Sequence, residues 1–303
     1  MLSKLIIISG LLATSFLTNA SETNTSLNVF TCQPDWAALV KQHAPNAEVF
    51  SATTAMQDPH YVQARPSLIS KMRKADLVVC SGAELEIGWL PELQRQSRNS
   101  KVQNGKDGLF WATDYVQMLD THDHVDRSMG DVHSHGNPHV QFAVADIPKV
   151  SKALVERLAK IDPSNQALYK GNGVKFRADW RKHMERWKSL GGSLKGMQLV
   201  GYHETHRYLF AWLSVEQIAD LEPKPGLPPT VAHLNSLSSI SSKDANGIVY
   251  SSHQPTDAAK WLSERTALPV AELAQSVGGR PNTETLAALI DDSIAQLLNL
   301  QRK

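Results

Sequence analysis

Strand-like and helix-like runs alternate twice along this chain, once on each side of a single long helical stretch, and that order leaves few folds open. In the first part, Leu27–Thr31, Ala47–Ala52 and Ala75–Cys80 read as short strands, with Pro34–His43 and Pro66–Lys74 as the helices between them. Pro66 suits a first helical turn, where its missing N–H loses no hydrogen bond. In the last part, Gln198–Tyr202, Gly247–Ser252 and Leu268–Leu273 read as strands. Helices are expected at Thr205–Leu213, at Thr256–Thr266 and from about Thr283 to Leu300. Such alternation implies parallel strands joined by crossover helices.

Between the two parts, Val150, Leu154 and Leu158 mark a helix over Ile147–Ile161, and Asp162-Pro163-Ser164 ends it. Phe176, Trp180, Met184 and Trp187 then share one face of a second helix. If residues 165–190 are continuous despite Gly171 and Gly173, that helix is about 39 Å long at 1.5 Å per residue. It could span two lobes. From Asn99 to Asn137, Gly, Asn, Asp and His dominate, as in a long loop, and Glu222–Pro229 reads as a stiff Pro-rich loop. The fold class expected is α/β: two lobes, each a mostly parallel sheet with flanking helices, joined by one long rigid helix. The expected divisions are a first lobe at 21–163 with a His-rich loop near 120–136, a connecting helix at 164–190, and a second lobe at 191–303.

Residues 1–20 have the pattern of a cleaved export signal. Lys4 precedes an apolar run from Leu5 to Leu17, and Thr18-Asn19-Ala20 offers small side chains to a signal peptidase. The mature chain is expected in the periplasm, with no later segment able to span a bilayer. The chain carries 31 basic side chains, Lys4 among them, and 30 acidic ones. Beyond the signal the balance is neutral, which gives no electrostatic reason to expect nucleic acid or a membrane surface as partner. Cys32 and Cys80 each end a strand-like run, and an exported protein can form a disulfide. Neighbouring strands would bring them together; two buried free thiols are the alternative.

Twelve histidines are the compositional oddity. Asp58-Pro59-His60 and Asn137-Pro138-His139 resemble each other, each setting a His directly after Pro. Proline restricts its own φ and the residue before it, so such a turn can aim an imidazole at little entropic cost. Two helix starts with incidental histidines are the bland alternative. His203 stands just beyond the strand ending at Tyr202, on the sheet edge that faces the ligand crevice in α/β folds. Its local string, His203-Glu204-Thr205-His206, lacks the H-E-x-x-H spacing of zinc peptidases, and His206 is expected on a helix surface. His122, His124, His133 and His135 crowd the loop before His139, with spacing suited to weak auxiliary metal capture or to a solvated polar loop. His253 follows a strand and is expected beside the site rather than in it. His43, His183 and His233 stand without a constellation.

The chain resembles the periplasmic metal-binding subunits of zinc and manganese ABC transporters, over essentially the whole mature length. The carriers are Asp58-Pro59-His60, Arg65-Pro66-Ser67, residues 75–79, Gly82–Leu90, Gly130-Asp131-Val132-His133, Gly136–His139, Tyr202-His203, Glu222–Gly226 and Ser276–Gly279. The resemblance implies two lobes around one rigid helix, metal in the cleft, and a ligand role for His60, His139 and His203. It also implies an ABC permease in the inner membrane as partner; a monomer is expected. Manganese-binding relatives have a carboxylate where His203 stands and an Asp as fourth ligand, which here falls near Gln275. Three imidazoles with water or a nearby carboxylate suit Zn²⁺ better than Mn²⁺, which favours oxygen donors. The expected function is zinc capture and delivery for uptake, without catalysis. A periplasmic zinc chaperone or buffer without a transporter is one alternative, and a hydrolase using water on three histidines is another.

Overall fold

The computed structural model describes residues 26–126 and 129–301, so the expected export signal lies outside the described residues. The first lobe contains β1 (Asn28–Thr31), α1 (Pro34–His43), β2 (Glu48–Ser51), α2 (Pro66–Lys74), β3 (Leu77–Cys80), α3 (Leu90–Ser97) and β4 (Leu109–Trp111). Then come α4 (Ile147–Ile161) and α5 (Gln166–Gly191). The second lobe contains β5 (Gln198–Gly201), α6 (Arg207–Leu213), β6 (Glu216–Asp220), α7 (Val231–Leu237), β7 (Gly247–Ser251), α8 (Asp257–Thr266), β8 (Val270–Leu273) and α9 (Leu286–Leu300).

Both sheets are parallel throughout and wound alike, in the orders β2-β1-β3-β4 and β6-β5-β7-β8. Parallel sheets are covered by helices on both faces, so their central strands read as continuous apolar runs. Every residue of β3, Leu77-Val78-Val79-Cys80, is buried. The strand order reverses direction at β1/β3 and again at β5/β7. Each reversal opens a crevice beyond the carboxyl ends of the strands, where α/β sheets bind ligands.

Two strands depart from the sequence expectation. The stretch 99–137 is not one loop, because β4 lies within it, and β6 was not foreseen at all. Both are edge strands. β4 is a three-residue segment set among Gly and Asp, and Glu216-Gln217-Ile218-Ala219-Asp220 carries charge at both ends.

Cys32 and Cys80 form a disulfide, with their Cα atoms 4.8 Å apart. The pairing follows from register: Thr31 of β1 lies opposite Val79 of β3, which puts the next residue of each strand side by side.

The long helix is continuous over 26 residues. Trp180 donates from Nε1 to the Val144 carbonyl at 2.9 Å, and Trp187 donates to Asp291 of α9 at 2.6 Å. One indole therefore fastens α5 to the first lobe and the other to the second. Gly173 is needed where α5 meets α4, because a Cβ there would stand 2.7 Å from Val155 Cγ2. A single apolar cluster runs from Val29 and Trp36 through Trp180 and Trp187 to Leu289 and Leu297. The lobes thus share a core. They are further joined by Asp35 of α1, which accepts from Ser276 Oγ at 2.5 Å and from the Val277 amide at 3.0 Å.

Candidate metal centre

The two Pro-His turns are built alike. Asp58 Oδ1 accepts from the His60 amide at 2.9 Å, and Asn137 Oδ1 accepts from the His139 amide at 3.0 Å. Each is a side-chain oxygen closing a turn onto the residue two positions on, which Asp and Asn do readily. Pro59 and Pro138 stiffen the same turns, and both imidazoles are carried into the cleft between the lobes.

The second sheet supplies its residues with a regular offset. His203 lies two positions beyond the end of β5, Glu222 two beyond β6, His253 two beyond β7 and Gln275 two beyond β8. All four line one cavity of about 350 Å³, together with Asp58, His60, Asp131 and His139. Ligand atoms of His60, His139 and His203 all lie within 4.8 Å of one another. The Nε2 atoms of His139 and His203 stand 3.4 Å apart, and those of His60 and His133 stand 3.2 Å apart.

Two carboxylates set the chemistry of this group. Burial pushes the Asp58 carboxyl up, but its hydrogen bonds with His60 outweigh burial and hold it at about 2. It is therefore ionised and can only accept. His60 Nδ1 therefore carries the proton it donates to Asp58 Oδ1 at 2.7 Å, which turns Nε2 toward the cavity. His203 Nδ1 bonds Glu222 Oε2 at 2.8 Å in the same way, and that oxygen also accepts from the Gly226 amide at 3.0 Å. Carboxylates behind imidazoles fix ring orientation and raise basicity at metal sites. Burial alone would lower the His203 pKa; the Glu222 hydrogen bond reverses this and raises it. His139 is held well below the usual imidazole range, first by burial and then by the neighbouring His203.

The remaining histidines separate clearly. His133 reaches the group, whereas His135 is exposed and faces Glu84 at 3.5 Å. His122 and His124 are exposed on the loop, outside the residues lining the cavity. His253 lines the cavity, and burial lowers its pKa to about 4. His206 is a correction: it is buried, not on a helix surface, and its Nε2 donates to the Ala274 carbonyl at 3.1 Å. His206 closes a short 3₁₀ turn, Glu204–His206, that precedes α6. The sequence alone assigns no role to Asp58 or Glu222. The signal lay in the Asx residue that opens each Pro-His turn and in the carboxylate placed after a strand end.

A cluster of imidazoles, two of them backed by carboxylates and set between two like-wound parallel sheets, suits a divalent cation. The family profile described as "Zinc-uptake complex component A periplasmic" (ZnuA) matches residues 29–299. The chain belongs to this family. One similar protein is the manganese ABC transporter substrate-binding lipoprotein PsaA of Streptococcus pneumoniae, 29% identical over 167 residues, covering 54% of this chain and 51% of that protein. Another is the high-affinity zinc uptake system protein ZnuA of Yersinia pestis, 21% identical over 193 residues, covering 59% and 60%. The chain thus spans about half the length of the curated relatives it matches. Among solved structures, a crystal structure of ZnuA superposes with a TM-score of 0.76 at 16% identity, covering 91% of this chain and 99% of the other. The Mn-bound periplasmic metal binding protein of candidatus Liberibacter asiaticus gives 0.72 at 18% identity, covering 90% and 98%. The ZnuA-like fold accounts for two parallel sheets on one spanning helix. No helix among the described residues is long and apolar enough to cross a membrane.

Proposed function

We propose that this protein is an exported zinc receptor, which captures Zn²⁺ in the periplasm and hands it to an ABC permease of the inner membrane. His60 and His139 of the first lobe and His203 of the second are the ligands, and no step is catalytic. The observation that carries this reading is the approach of the three ligand atoms to within 4.8 Å, from both sides of one cleft. Zinc takes imidazole nitrogen at about 2.0–2.1 Å in tetrahedral sites. Manganese favours carboxylate, carbonyl and water oxygen. At the two positions where oxygen donors would favour manganese, this chain has His203 and the neutral Gln275. Family membership supports transport of a metal; the donor set supports zinc.

Competitive calorimetry with zinc and manganese tests the reading. We expect one tight zinc site per chain and manganese binding weaker by at least about 100-fold, in the direction of the Irving–Williams order. Manganese bound as tightly as zinc would overturn the assignment of cargo.

Acid should weaken zinc binding early. Each imidazole must be neutral to ligate, so protons compete with the metal. The raised pKa of His203 means that its proton competes already above about pH 6.5, the ordinary imidazole value. The depressed pKa of His139 leaves that ring neutral through the same range. Zinc affinity should therefore fall continuously as pH drops from 8 to 6. Chelator-competition titrations at several pH values measure it, and a flat profile over that interval would exclude His203 as a ligand.

A further inference from the structure

A tetrahedral ion needs four donors, and the three histidines above leave one position to fill. We propose that His133 fills it: the strap of residues 129–135 closes over the cleft and brings a fourth imidazole to the metal. This rests on the zinc-receptor reading and names the group that completes its site.

The distances carry the inference. Two nitrogens bound to one tetrahedral zinc at 2.0–2.1 Å stand about 3.3 Å apart. His60 and His133 face each other through Nε2 at 3.2 Å, and His139 and His203 through Nε2 at 3.4 Å. Two edges of such a tetrahedron are thus in place, His60–His133 and His139–His203, while His133 stands outside the group of three whose ligand atoms all lie within 4.8 Å of one another, so its ring closes the remaining distance when the ion binds. His60 Nδ1 is committed to Asp58, so Nε2 is the atom left to face His133 and the ion.

The strap is anchored on both sides of the cleft. On the first lobe, the Tyr61 hydroxyl donates to the Asp131 carboxylate. Glu84 Oε2 accepts from the Ser134 amide at 2.9 Å and from its hydroxyl at 3.0 Å. On the second lobe, the Asp131 amide donates to the Pro225 carbonyl at 2.8 Å. Gly226 has φ +76°, and a Cβ there would run into the Asp131 side chain, so glycine is required for the strap to seat. The Pro225-Gly226 turn follows directly on Glu222, which orients His203. The strap therefore touches the supports of ligands from both lobes while presenting its own imidazole. Gln275 is the rival for the fourth position, but an amide oxygen is outside the usual zinc donor set of Cys, His and carboxylate.

Four nitrogens and no oxygen make a site that discriminates strongly against manganese. X-ray absorption on the zinc-loaded full chain counts the imidazoles without any substitution. We expect the outer-shell scattering of the ring atoms to report four imidazoles on the zinc; three overturn the inference. His133→Ala should weaken zinc binding by about 100-fold, the share of one ligand in a four-ligand zinc site. His133→Asp should narrow the zinc-to-manganese ratio by introducing an oxygen donor. His133→Ala binding zinc within about threefold of wild type overturns the inference, and if His60→Ala loses zinc in the same assay the receptor reading survives. Should His60→Ala also bind like wild type, both fall together.

Discussion

Replacing His203 by alanine should remove tight zinc binding and leave the fold intact. Structural zinc sites of four ligands bind with about 10–16 kcal/mol, so one ligand contributes about 3 kcal/mol, or on the order of 100-fold in affinity. His203 lies two residues past β5 at the cavity wall, outside the apolar clusters that hold the sheets. Its loss also leaves Glu222 without a ring to orient, although that carboxylate keeps the Gly226 amide. The effect should appear as weaker zinc binding in chelator competition and as a smaller rise in Tm on adding zinc, because ligand stabilisation follows RT ln(1 + [L]/Kd). Circular dichroism checks the fold. Wild-type affinity in this variant would place the metal in the first lobe alone, and a two-lobe receptor could not stand.

Removing the disulfide should act on stability and spare the metal. Cys32 and Cys80 are separated by 48 residues, and closing a loop of that size restricts the unfolded chain by about 4 kcal/mol. For a protein of this size that corresponds to a fall in Tm of roughly 7 °C. The double substitution of Cys32 and Cys80 by Ala should show this drop in thermal unfolding without zinc. Zinc affinity should change by less than about threefold, because neither cysteine lines the cavity that holds the histidines. An unchanged Tm would mean that the bond does not limit the unfolded chain.

The architecture was legible because burial and periodicity coincide in most of it. Within Ala75–Cys80, the run Leu77–Cys80 is apolar on both faces, as a covered central strand must be, and that run is the strand the structure forms. Phe176, Trp180, Met184 and Trp187 repeat at helical spacing, and α5 runs through both glycines. The strands that escaped notice, β4 and β6, sit at sheet edges, where only one neighbour demands pairing and few residues need be apolar. In the cleft, His60, His139 and His203 could be singled out because local chemistry marks them, by proline turns in two cases and a strand end in the third. His133 could not be separated from His122, His124 and His135 in the same way. Its distinguishing contact is with His60, 73 residues away in the chain, and no local spacing encodes it. His206 was misplaced for a related reason: its ring is turned inward by a carbonyl from residue 274, a partner visible only after folding.

The even offset of His203, Glu222, His253 and Gln275 beyond their strands bears on how a protein of this kind can change its cargo. The strands hold the sheet by backbone pairing and buried apolar side chains, whereas the side chains of the four rim positions line the cavity. A substitution at the rim therefore alters what meets the ion without disturbing what keeps the chain folded. Donor identity and scaffold integrity become separate traits, inherited on separate residues. A lineage could exchange nitrogen for oxygen at one rim position in a single mutational step and still make a stable protein, so that preference for one metal over another can drift while the architecture stays fixed.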